Sequence, residues 1–165
     1  MKINTQSATT ETLVKELAFL LKTGNAHVSF NDAIKNIPFE DLGKIAGNLP
    51  YTIWQIVEHI RITQKDILEF SANKNYKELN WPADYWPKNS APENAATWGN
   101  SIQQINDDLE EFIQLLTTSE NIYESFSYGN GQSLLREAML IADHNSYHTG
   151  EIIVLRRLLG NWQNS

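Results

Sequence analysis

The chain has 165 residues, enough for one domain with a sizeable core, and its 41% apolar and 20% charged residues make a globular composition. Twenty acidic against 13 basic side chains leave a net charge of -7, which argues against a nucleic-acid or anionic-membrane binder, since either needs a basic face. There is no cysteine, which excludes disulfides, thiolate zinc sites, iron–sulfur clusters and a cysteine nucleophile.

The first residues, Met1-Lys2-Ile3-Asn4-Thr5-Gln6-Ser7, carry no apolar stretch of signal-peptide length. No run of about 18 apolar residues is present to span a bilayer. The expectation is a cytoplasmic protein, one domain over 1–165, with no membrane partner.

Four long segments have helical periodicity and none alternates like a strand, so the class is all-α. The first helix runs from about Thr10 to Thr23, with Leu13, Leu17, Leu20 and Leu21 as its apolar stripe and Gly24 as its stop. Short helical turns are expected around Asn31–Ile34 and Phe39–Leu42. The second long helix follows Pro50, with Thr52 as N-cap and Gln55 completing a capping box. It continues through Ile53, Ile56, Val57, Ile60, Ile67 and Leu68 to about Ala72.

Residues 73–89 contain Trp81-Pro82 and Tyr85-Trp86-Pro87, and the prolines forbid a continuous helix. Seventeen residues can cross about 50 Å when extended. The third long helix can therefore lie parallel to the second. It is expected to begin at Ser90-Ala91-Pro92-Glu93, with Ser90 as cap and Glu93 closing a second capping box. Trp98, Ile102, Ile105, Leu109, Phe112, Leu115 and Leu116 carry its stripe. The fourth runs from about Ser133 to Leu159, stopped by Gly160.

The four histidines are His27, His59, His144 and His148, and chemistry near neutral pH runs through them or through carboxylates. His144 and His148 are four residues apart on the fourth helix. A separation of four turns the helix by about 400°, so both imidazoles leave one face and can share one metal ion. The other reading is two polar positions on an amphipathic helix. Ile141, Ile152 and Leu155 put the pair on or beside the buried face, where an imidazole needs a partner. Glu151 shares that face as a further ligand, an acceptor behind a histidine, or a base. His59 lies on the stripe of the second helix, either as a core histidine or as the third nitrogen of a three-histidine site. Three protein ligands leave positions open, which is the catalytic pattern. His27 is a loop residue or lines the mouth of a pocket.

Trp54, Glu58-His59-Ile60, Gln64 and Asp66-Ile67-Leu68, followed by the run from Ile141 to Ile152 and by Leu155-Arg156-Arg157-Leu158-Leu159-Gly160-Asn161-Trp162, resemble the DinB superfamily of DinB/YfiT-like metalloenzymes. The resemblance covers nearly the whole chain, including Gly24–Val28 and Trp81–Pro87. It implies a four-helix bundle of up-down-down-up topology, with the long crossover between the second and third helices. It also implies one divalent metal, nickel or zinc, held by His59, His144 and His148. Family members include thiol S-transferases and a maleylpyruvate isomerase that use low-molecular-weight thiols, and dimers are common among them.

The resulting expectation is a metal-dependent enzyme, a thiol S-transferase or a hydrolase, with Glu151 as its catalytic carboxylate. Its partners are a small-molecule substrate, a thiol cosubstrate and a second copy of the chain, and not nucleic acid. The alternatives are a non-catalytic metal-binding stress-response bundle and a helical interaction module presenting Tyr76, Trp81, Tyr85 and Trp86, aromatics that otherwise cap the end of the bundle. Tyr147 and Trp54 are read as core or pocket wall. Arg156 and Arg157 are read as an anion site or a solvated helix end.

Overall fold

The computed structural model describes residues 5–162. Met1–Asn4, on which the reading of the N-terminus partly rests, lie outside the described residues. Four long helices and one short one make up the architecture: α1 (Thr5–Thr23), α2 (Phe30–Ala33), α3 (Ile53–Ala72), α4 (Ala95–Thr118) and α5 (Leu134–Leu158). A 3-10 turn covers Phe39–Asp41. Among the described residues there is no strand, only an isolated bridge between Ser125 and Ser133. No helix among the described residues is long and apolar enough to cross a membrane.

α1 begins at Thr5, before the expected Thr10, because its first turns precede the apolar stripe and leave no periodic signal. Gly24 ends it at φ 70°, the left-handed conformation that glycine adopts without strain. The capping box of α3 forms in both halves: Gln55 N–H donates to Thr52 Oγ1 at 3.2 Å, and Thr52 N–H donates to Gln55 Oε1 at 3.1 Å.

The start of α4 differs from the expectation. Its cap is Asn94, whose Oδ1 accepts from Thr97 N–H at 2.9 Å, and the helix opens at Ala95. Ser90 has another task, since its carbonyl accepts from the buried Thr52 hydroxyl at 2.7 Å. The segment from Ser90 to Glu93 is thereby tied to the head of α3, ahead of the helix. α5 is capped by Ser133 and stopped by Gly160 at φ 74°.

α3 packs against both α4 and α5. Two apolar clusters form the core. One gathers Ile53, Ile56, Val57 and Ile60 of α3 with Ile105, Ile152 and Leu155. The other gathers Ile67 and Leu68 with Leu17, Phe112, Leu116, Ala138 and Ile141. Between them α3 carries His59 and Gln64, and α5 carries His144, Asn145 and His148. The apolar stripes are interrupted there by one polar layer.

Residues 73–89 fold back on α3. Tyr76 and Tyr85 donate their hydroxyls to Asp66 Oδ1 and Oδ2, at 2.6 and 2.7 Å. Trp86 lies flat on the His59 ring, with centroids 4.1 Å apart. Tyr76 and Tyr85 are half-buried, so neither forms the freestanding partner surface considered above, and only Trp81 of the group is largely exposed.

Arg156 is neither an anion site nor a solvated helix end. It is 4% exposed and donates to Ala33 O at 2.6 Å and to Asn161 Oδ1 and O at 3.1 and 3.0 Å. One buried guanidinium thus fastens α2 and the chain after α5 to the same helix. Arg157 is exposed.

Two predictions follow from these contacts. Asn94→Ala lowers unfolding free energy by about 1 kcal/mol, whereas Ser90→Ala leaves it unchanged, as denaturant titration will read. Burial, and then the bond to Asp66, push the Tyr76 hydroxyl up to about 12. The folded state therefore holds this proton more tightly than the unfolded chain does. That stabilisation is complete below about pH 10 and is lost as pH rises towards 12. Denaturation midpoints should decline over this window, and less so in Tyr76→Phe.

Candidate metal centre

His59 and His148 are buried, at 4% and 7% exposure, and His144 is half-buried. α3 supplies the first and α5 the other two. His144 and His148 leave one face of α5 one turn apart, with ring centroids 4.5 Å apart. Each imidazole has its Nδ1 engaged. His59 Nδ1–H donates to Tyr85 O at 2.8 Å, and His148 Nδ1–H donates to Glu151 Oε2 at 2.7 Å. His144 Nδ1 faces Asn145 Oδ1 at 3.4 Å.

Carbonyl and carboxylate oxygens only accept, so the proton of each neutral ring sits on Nδ1 and the lone pair on Nε2. The Asn145 orientation follows from its neighbours. Gln64 Nε2 must donate to Ile105 O at 2.6 Å, which leaves Gln64 Oε1 to accept from Asn145 Nδ2 at 2.8 Å. Asn145 Oδ1 is then the atom turned to His144.

The three rings converge. His59 Nε2 and His144 Nε2 are 3.1 Å apart, and a ligand nitrogen from each of the three residues lies within 4.8 Å of the others. Two lone pairs at that distance repel unless a cation stands between them. Nitrogens on a tetrahedral zinc-like ion, with bonds of about 2.05 Å, would stand roughly 3.3 Å apart. The donor set therefore fits a divalent transition metal. Burial pushes both His59 and His144 downward, His144 to about 4, with the neighbouring histidines adding to the second shift.

Glu151 is half-buried at the edge of the layer. Its Oε2 holds His148, and its Oε1 accepts from the Tyr51 hydroxyl at 2.6 Å. That bond, with burial, pushes Tyr51 up to about 12. Tyr147 is 65% exposed and stands perpendicular to the His148 ring, so it is neither core nor closed pocket wall. Trp54 is core. His27 stands apart from the three converging histidines. It lines a cavity of about 370 Å³ with Gln64, Asn145 and Ser146, and its Nε2 accepts from Ser146 Oγ at 3.0 Å.

The DinB family profile matches residues 11–164. The chain belongs to the DinB family. No curated protein and no solved structure matches it. This DinB member keeps all three histidines of the expected triad as neighbours in space.

Four contributors were not assigned a site role from the sequence. Gln64 and Asn145 left a faint signal as amides set between Ile60 and Ile67 and beside His144. Tyr51 and Trp86 left none, because a loop aromatic carries no periodicity to say where it lands. Replacing Glu151 by Gln keeps the shape and removes the charge behind His148. Divalent-metal affinity should fall 10- to 100-fold in a competition titration against a chromogenic chelator.

Proposed function

We propose that this DinB protein is a divalent-metal-dependent enzyme acting on a small molecule, with His59, His144 and His148 as the metal ligands. The observation that carries this reading is the convergence of three imidazoles, with a ligand nitrogen of each within 4.8 Å of the others and every Nδ1 facing an acceptor. Nickel or zinc are the proposed ions, since both suit imidazole nitrogen. When bound, such an ion supplies Lewis acidity that lowers the pKa of a water or thiol beside it.

The chain's own residues supply the rest. Tyr85 O, Asn145 Oδ1 and Glu151 Oε2 hold the three imidazoles in their metal-binding tautomer. Glu151 also sits within one hydrogen bond of the Tyr51 hydroxyl, and its carboxylate is the group proposed to hold and pass a proton at the site edge. The reaction proposed is thiol S-transfer, with hydrolysis as the other outcome. With no cysteine in the chain, the thiol arrives as a cosubstrate.

The same reading includes an up-down-down-up bundle. The first core cluster takes the N-terminal parts of α3 and α4 with the C-terminal part of α5, which supports α3 and α4 running together and α5 against them. A homodimer is also proposed. Leu140, Tyr147, Val154 and Leu158 are exposed along one side of α5, and a second copy could cover them. A cytoplasmic location belongs to this reading and is supported by the cysteine-free composition.

A second reading, a metal-stabilised bundle without turnover, is favoured by the depth of His59 and His148 and by Trp86 flat against His59. Protein purified without a histidine tag should hold close to one equivalent of nickel or zinc by elemental analysis, and His144→Ala should lose it. Absence of stoichiometric metal in the parent protein overturns both readings. A panel of low-molecular-weight thiols with electrophilic acceptors, and of small esters, separates them. Turnover that disappears with chelator supports the enzyme. A large chelator-dependent drop in melting temperature with no turnover supports the stabilised bundle.

A further inference from the structure

About two helical turns along α3 from His59, a different cluster surrounds a cavity of about 510 Å³. Its acidic members are Asp66 on α3, Glu137 in the first turns of α5 and the exposed Glu78 of the 73–89 segment. Glu137 is 4% exposed, and none of the hydrogen bonds or ion pairs among the described residues reaches its carboxylate. With no partner in the chain, its carboxylate oxygens are left to whatever occupies the cavity they line. Burial pushes this carboxyl upward, and the charge on Asp66 adds to the shift while Arg136 opposes it. Arg136 is exposed at the rim and forms no ion pair with either acid among the described residues.

The remaining wall is aromatic. Phe70 packs edge-on against Tyr76 and Tyr128, with centroids 5.4 and 5.7 Å apart. The tyrosine hydroxyls are already committed: those of Tyr76 and Tyr85 to Asp66, and that of Tyr128 to Phe70 O at 3.0 Å. The wall therefore offers π surface rather than free hydroxyls.

We propose that this cavity is a binding site for a small organic ammonium ion, with Glu137 and Asp66 as its anionic partners and Phe70, Tyr76 and Tyr128 as its aromatic wall. Two acids beside each other repel an anion and leave a neutral ligand with no compensation for the buried charge. An alkylammonium answers both features. Its N–H groups donate to the open lone pairs of Glu137, and its carbon chain lies on the aromatic rings, where cation–π attraction adds to apolar contact. A hydrated divalent ion gains nothing from that wall, and among the described residues these carboxylates do not gather closely enough to share one ion. The site is separate from the histidine layer and does not depend on metal there.

The test is a titration of 15N-labelled protein with n-butylammonium chloride, followed by amide chemical shifts. Neutral n-butanol and magnesium chloride at matched ionic strength serve as comparisons. Saturable shifts centred on Asp66, Tyr128 and Glu137 are expected with butylammonium alone. They should persist in His144→Ala, which separates this site from the metal centre. Glu137→Gln, which keeps the side chain's shape, should weaken binding about tenfold, and Asp66→Asn provides the same reading if that variant fails to fold. Unsaturable shifts, an equal response to butanol, displacement by magnesium, or unchanged affinity in these variants would each overturn the proposal.

Discussion

A neutral imidazole withdrawn from water has two ring nitrogens to satisfy, one that donates and one that accepts. Three such rings meet in one layer of this bundle, and much of the surrounding structure is arranged around their needs. Each Nδ1–H is answered by a different kind of group. A backbone carbonyl serves His59, a side-chain amide serves His144 and a carboxylate serves His148. With the donors answered outward, the acceptors turn inward, and the common point between them is suited to a cation. The site is thus the inner consequence of an outer shell of acceptors.

That requirement explains why residues 73–89 do not behave as a slack connection. Tyr85 uses its carbonyl on His59 and its hydroxyl on Asp66, seven residues further along the same helix. The segment is pinned at two points roughly 10 Å apart along the α3 axis. Trp86 then covers the His59 ring, and Tyr51 stacks on Trp86 while holding Glu151. Tyr51, Tyr85 and Trp86 are therefore walls and props of the histidine layer. The same pinning places Tyr76 and Tyr85 around Asp66, so the second acidic cavity and the metal centre share one structural element.

Much of the helical layout could be read from the chain. The spacing of Ile53, Ile56, Val57 and Ile60 required one buried face on α3. The Thr52–Gln55 pair marked its start, and Gly160 marked the end of α5. Placing His144 and His148 together needed only the pitch of a helix, and the resemblance carried by Glu58-His59-Ile60 with the run from Ile141 to Ile152 chose His59 as the third ligand over a core histidine. The misread features involve contacts between distant segments. Ser90 has the form of a cap, but Thr52 claims its carbonyl, and Asn94 takes the role. Arg156 has the charge of a solvated helix end, but Ala33 O and Asn161, both off α5, draw it inside.

By itself, then, the sequence determined the helices, the apolar faces and the candidate ligands, because helical periodicity and capping are local and repeat along the chain. Only the tertiary structure decided which acceptors stand behind each histidine, where Tyr51 and Trp86 land, and that Glu137 faces a cavity without a partner. Those facts depend on loops whose course is set by contacts far apart in sequence. Such contacts have no period to read.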